Sequence, residues 1–145
     1  LGTYHEHDQA CLIVDPDRVI DVLGWLRDTP GQEYRFLSSL HGVDYLPAEP
    51  RFGVVYELLN MPRVERLRVR AALADPGDER LPEIDSCTEL FAGAEFHERE
   101  VYDLCGVRFT GHPDLTRILL SDDWDGHPLR KDYEFPLEYH GTRGS

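Results

Sequence analysis

Three successive stretches that alternate with period two constrain this chain more than any other feature. Phe52, Val54, Tyr56 and Leu58 mark one of them. Leu67, Val69, Ala71 and Leu73 mark the next, with Arg66, Arg68 and Arg70 on its opposite face. Upstream, Tyr34 to Tyr45 sets Phe36, Ser38 and Leu40 against Leu37, Ser39 and His41. Side chains of a strand point alternately to its two sides, so each stretch has one face to bury. The short connections predict antiparallel pairing, with one face of the sheet covered and the other available.

Helices are the natural cover. Cys11-Leu12-Ile13-Val14 reads as a short buried strand, and Asp15-Pro16 supplies a cap followed by proline at the first helical position. Val19, Ile20, Leu23 and Leu26 then fall at helical spacing, and Thr29-Pro30-Gly31 stops that helix. Asp75-Pro76-Gly77-Asp78 is a turn cluster. Ser86 is expected to cap a helix through Phe91, which Gly93 interrupts before a second helix from about Glu95 to Cys105. In that second helix Phe96, His97, Val101, Leu104 and Cys105 form the apolar stripe, with Glu100 inside it and Glu95, Arg99 and Asp103 pointing away. A carboxylate in such a stripe must find donors, so Glu100 is expected to pair with Arg117, Arg130 or Lys131, or across an interface.

The fold expected is α+β: a two-layer arrangement of a mostly antiparallel sheet with helices packed on one face, over residues 1–105. Beyond Gly106 the periodicity dissolves, and His112-Pro113, Gly126-His127-Pro128 and Phe135-Pro136 punctuate an extended, irregular segment, 106–145. It carries Ile118, Leu119, Leu120, Trp124, Leu129, Tyr133 and Phe135, too much apolar surface for a solvated linker. Such a segment is expected to pack on a partner surface.

Composition narrows the function. A formal net charge of −13 argues against nucleic acid, whose phosphates call for an excess of lysine and arginine, and against adsorption to anionic lipid. No apolar run is long enough for a membrane span, and no signal-like leader is evident. Cys11, Cys87 and Cys105 are scattered and odd in number, which fits buried thiols in a reducing compartment; a self-contained iron–sulfur cluster takes four ligands.

Familiar catalytic patterns fail on inspection. His97-Glu98-Arg99-Glu100-Val101 starts like a zinc-protease helix but has Val101 where the second histidine belongs. Ser121 to Asp132 imitates a calcium loop imperfectly, since Ser121 and Asp132 replace its end ligands. Both P-loop and dinucleotide-type glycine loops are absent. His112 and His127, with aspartates nearby, leave a metal-dependent hydrolase as a third-ranked reading. What remains is a dense charged block, Glu98-Arg99-Glu100-Val101-Tyr102-Asp103, followed by Gly111-His112-Pro113-Asp114-Leu115. Charge at that density without attached chemistry points to a docking surface.

These blocks resemble a known family. Gly93 to Leu104, Gly106-Val107-Arg108-Phe109, Gly111-His112-Pro113-Asp114-Leu115 and Arg117-Ile118-Leu119 are similar to the signature of the C-type subunit family of proton-translocating NADH–quinone oxidoreductase, respiratory complex I. Asp122 to Tyr133, which includes Pro128-Leu129-Arg130-Lys131-Asp132, resembles its C-terminal block; Gly42-Val43-Asp44-Tyr45 and Val54 to Leu58 fit upstream. The resemblance implies a cofactor-free structural subunit of the peripheral arm, with FMN, iron–sulfur clusters and quinone held by partners. It implies contacts with the D-type quinone-site subunit and the B-type iron–sulfur subunit, on the cytoplasmic face of the inner membrane. Glu98, Arg99, Glu100, Asp103, His112, Pro113, Asp114, Arg117, Arg130, Lys131 and Asp132 would fix that assembly. The equivalent subunit of a membrane-bound hydrogenase or F420H2 dehydrogenase is the alternative within the same architecture.

Overall fold

The computed structural model describes residues 2–6, 9–134, 138–139 and 142–143, and the side chains of 10–134; Phe135 and Pro136 lie outside the described residues. Strands β1 (Gly2–Glu6), β2 (Gln9–Val14), β3 (Phe36–Asp44), β4 (Phe52–Asn60) and β5 (Glu65–Leu73) form one sheet in the order β1-β2-β5-β4-β3. A helical turn, Pro16–Arg18, leads into α1 (Val19–Asp28). Asp15 accepts the Asp17 N–H at its start, as the Asp-Pro pair predicts. Beyond the sheet come β6 (Glu83–Asp85), α2 (Ala94–Cys105) and β7 (Arg108–Thr110), with β6 and β7 paired parallel. Two short strands, β8 (Glu138–Tyr139) and β9 (Thr142–Arg143), pair with each other.

The alternation settles the register. Phe52, Val54, Tyr56 and Leu58 stand opposite Leu73, Ala71, Val69 and Leu67, so all eight share the covered face. Val55, Glu57 and Leu59 stand opposite Arg70, Arg68 and Arg66 on the other. α1 buries Val19, Leu23 and Leu26 in the same core. α2 crosses β3 so closely that a Cβ on Gly42 would lie 2.9 Å from Val101 Cγ1.

The sheet is mostly antiparallel, as expected, with one parallel pair where β2 returns beside β5, α1 and two hairpin strands intervening. Two expectations are corrected. Residues 86–91 form turns, not a helix: Ser86 and Cys87 are held by a side chain of α2, as described below. Leu37 and Leu40, expected on opposite faces, are both buried, since a bulge between Leu37 and Ser39 shifts the pleat by one residue. The segment beyond Cys105 also begins more regularly than it reads: Val107 and Phe109 enter the core.

Candidate functional site

The buried face of α2 is set by Ala94, Glu98, Val101 and Cys105, spaced four, three and four residues apart. That is a quarter turn away from the stripe read from the sequence. Phe96 is 58% exposed, and Glu100 is exposed rather than buried. The buried carboxylates of α2 are Glu98 and Asp103, each fully enclosed. Counting apolar residues misses this, because an inward-facing Glu98 makes the true face look polar.

Glu98 ties α2 to the turn before it. Its two oxygens accept the Ser86 hydroxyl at 2.6 Å and the Cys87 N–H at 2.8 Å. Burial raises its pKa above the ordinary carboxylate value, against the pull of those donors. The unfolded chain therefore releases this proton at lower pH than the folded one. Its contribution to stability declines as pH rises from the unfolded pKa toward the folded value, then levels. Glu98→Gln should gain stability relative to wild type as pH rises above the ordinary carboxylate range, read in urea titrations. A difference that stays constant with pH would contradict a raised pKa.

The C-terminal end of α2 is enclosed by the segment that follows. Gly106 closes the helix in the left-handed region (φ 74°), its N–H reaching Tyr102 and Val101 carbonyls. A Cβ there would lie 2.6 Å from the His127 ring. The last carbonyls of a helix have no partners within it. Here Asp103 O meets His127 Nδ1 at 2.9 Å, Leu104 O accepts Leu129 N–H at 2.8 Å, and Arg130 donates to Cys105 O and Gly106 O at 2.9 and 3.0 Å.

Asp103 organises the outer loop. One oxygen accepts three successive backbone N–H groups, from Ile118, Leu119 and Leu120 (3.2, 2.8 and 3.0 Å), and the other accepts Arg117 Nη1 at 2.7 Å. Arg117 also donates to Gly126 O at 2.8 Å. Burial pushes the Asp103 pKa up, but the N–H groups of Leu120 and Leu119, the guanidinium and Ile118 outweigh it, and the net shift is downward. Asp103 points away from the core-facing side of α2, as the sequence pattern has it, and is buried there because residues 117–120 fold over it.

His112-Pro113-Asp114 docks on the first turn of α2. His112 Nε2 donates to Glu95 O at 3.0 Å while Nδ1 accepts the Asp114 N–H at 2.9 Å, so one tautomer serves both bonds. Arg99 completes the strap, donating to Thr116 and to Arg117 O.

A second cluster lies where β3 and β4 meet the tail. Arg51 grips Asp44 through two bonds of 2.9 and 2.8 Å, and reaches Asp75 at 3.1 Å and Asp132 at 2.8 Å. Asp44 also accepts the backbone N–H of Leu46 and of Lys131, and Lys131 Nζ donates to Leu46 O. The Arg51 guanidinium holds the Asp44 carboxyl well below the usual carboxylate range. Arg51 and Arg130 both lie near the Phe52 ring, 4.6 and 4.7 Å from its centroid.

Of the residues singled out in the sequence, Glu98, Arg99, Asp103, His112, Asp114, Arg117, Arg130, Lys131 and Asp132 all bond within the chain. Asp44, Arg51, Asp75 and Ser86 complete the arrangement. Arg51 carries no distinguishing sequence signal beyond its place at the start of a strand.

The two histidines of the hydrolase reading are not brought together. His112 and His127 sit at opposite ends of α2, about 12 Å apart along the axis from the residues they bond. Both nitrogens of His112 are engaged by backbone. Asp132 belongs to Arg51, so the imitation calcium loop loses its last ligand. Among the described residues no group of three His, Cys, Asp or Glu is placed to hold a metal ion. The three cysteines are free and buried, and burial pushes the Cys105 thiol up to about 11.

Residues 12–139 match the model of the respiratory-chain NADH dehydrogenase 30 Kd subunit. The chain belongs to that family. It is 48% identical over 138 residues to the C-type subunit of the NADH-quinone oxidoreductase of Roseiflexus castenholzii, covering 95% of this chain and 77% of the relative. The counterpart in Herpetosiphon aurantiacus is 45% identical over 134 residues, covering 92% and 75%. A chain of the membrane-bound sulfane sulfur reductase, an archaeal respiratory membrane complex, shares the fold: TM-score 0.75, 22% identity, 92% of this chain and 76% of that one. As a member of the 30 Kd family, the chain is part of a multi-subunit respiratory oxidoreductase. Among its described residues no helix is long and apolar enough to cross a membrane.

Proposed function

We propose that this chain is a cofactor-free structural and assembly subunit of the peripheral arm of a proton-translocating NADH–quinone oxidoreductase. It would hold the D-type quinone-site subunit and the B-type iron–sulfur subunit in register on the cytoplasmic side, while those partners carry FMN, clusters and quinone. The observation that carries the reading is how the charged block is used. Its inward side chains lock residues 111–132 across α2 and the sheet end, and this leaves Leu119 and Leu129 61% and 58% exposed on the locked segment. Phe96 on α2 is 58% exposed as well. A rigid loop that presents apolar side chains outward is a preorganised docking surface, for which little ordering entropy remains to be lost. The shared fold with a chain of a sulfane sulfur reductase complex supports a second reading, the equivalent subunit of a related complex with another electron donor.

Leu119→Arg and Leu129→Arg should leave the isolated chain within about 0.5 kcal/mol of wild type. Both should sharply reduce capture of neighbouring subunits by the tagged chain. Identifying the captured proteins separates the readings, since an NADH-binding partner supports the first. Undiminished capture by both variants would remove this face from the interface.

A further inference from the structure

The outer edge of β3 is a row of backbone groups that no strand pairs with among the described residues. β3 ends the sheet order, so whatever turns away from β4 meets no strand among the described residues. Tyr45 N–H donates to Arg51 O at 2.6 Å, which makes that pair a hydrogen-bonded one. Antiparallel pairing alternates, so Val43, His41 and Ser39 also turn toward β4, and Leu40 and Gly42 direct N–H and C=O outward.

Exposed edges are ordinarily defended by charge, proline or bulges, since they template pairing with other chains. From Phe36 to Val43 there is no Asp, Glu, Lys, Arg or Pro, in a chain that is 30% charged, and Asp44, which follows, is buried against Arg51. The one defence is the bulge between Leu37 and Ser39, which leaves Ser39–Asp44 regular over roughly 20 Å.

We infer that the Ser39–Asp44 edge receives an extended segment of a neighbouring subunit as a sixth strand of the sheet. An alternating row of amide donors and acceptors is matched in full only by another extended backbone. A second copy of this chain is the poorer occupant, because each carries a formal charge of −13. The edge also specifies the side chains of its guest. On one side α2 roofs Gly42 with Val101 and Cys105, an apolar wall. The other side runs past Ser39, His41 and Val43. The entering strand is therefore uncharged, with small or apolar residues at alternate positions.

This inference rests on the chain being part of a larger complex, and hydrogen exchange on the purified complex separates the two ideas. In the isolated chain the Leu40 and Gly42 amides should exchange fast while Ser39 and His41 are protected. In the complex Leu40 and Gly42 should slow by about a hundred-fold or more. Methylating the Gly42 nitrogen, which adds no Cβ toward Val101, should cut incorporation about tenfold with melting of the isolated chain unchanged. Fast exchange at Leu40 and Gly42 in a complex that contains the chain would overturn the inference. So would protection already present in the monomer, which would mean closure by the chain's own termini, or protection that grows with chain concentration, which would mean a second copy. Absence of the chain from any purified complex would overturn the functional reading, and this inference with it.

Discussion

Replacing Asp103 with alanine is expected to destabilise the isolated chain by about 3–5 kcal/mol, more than any substitution on the exposed side of α2. The carboxylate is fully enclosed and satisfies three backbone N–H groups and one guanidinium at once. Its removal leaves Arg117 half-paired and the Ile118–Leu120 amides facing a void, and each unsatisfied donor costs desolvation energy. Glu100→Ala, at a position whose neighbours in sequence suggest burial but which is exposed, should shift stability by no more than about 0.5 kcal/mol. Urea titration of the purified variants makes the comparison. Equal, small effects would mean the loop is held by something other than this carboxylate. The pH signature runs opposite to that of Glu98. Asp103 has a folded pKa below its unfolded value, so its stabilisation is present above the unfolded pKa and is lost as pH falls through the folded one. Acid should therefore loosen the 117–120 loop, and Asp103→Asn should flatten that part of the acid transition.

The contrast between Glu100 and Asp103 shows where a sequence pattern is informative and where it stops. Period-two patterning places Phe52 to Leu58 and Leu67 to Leu73 on one face, because those positions are apolar on one side and mixed on the other. Asp15-Pro16 and Gly106 mark helix ends through local geometry, and local geometry is legible. The rotation of α2 is not. Its core-facing side carries Glu98 and its opposite side the equally buried Asp103, and their donors come from Ser86, Cys87 and residues 117–120, all distant in sequence, so the compensation cannot be read along the helix. The same reason hides the parallel β2–β5 pair, which depends on how α1 returns the chain, and the bulge in β3. The site blocks are recognisable from their resemblance to the family. Their chemistry, though, is turned inward: most of the singled-out side chains brace the chain's own loop.

Arg51→Met should produce the other large loss, again about 3–5 kcal/mol, because it strands Asp44 in a site where the carboxylate has almost no access to water. The three carboxylates around Arg51 are not equivalent. Asp44 is 2% exposed at the side chain, Asp75 33% and Asp132 57%, so solvent screens the latter two. Asp75→Ala and Asp132→Ala should each cost no more than about 1 kcal/mol. The double variant Arg51→Met with Asp44→Leu should recover part of the single-variant loss, since apolar replacement of both partners removes the stranded charge. Asp44 also receives the Lys131 N–H, so losing Arg51 should loosen the hold on the segment from Pro128 to Tyr133 and speed its proteolysis in the folded state. Additive losses in the double variant, with cleavage unchanged, would show that Arg51 and Asp44 stabilise the chain separately and that the tail is anchored through α2 alone.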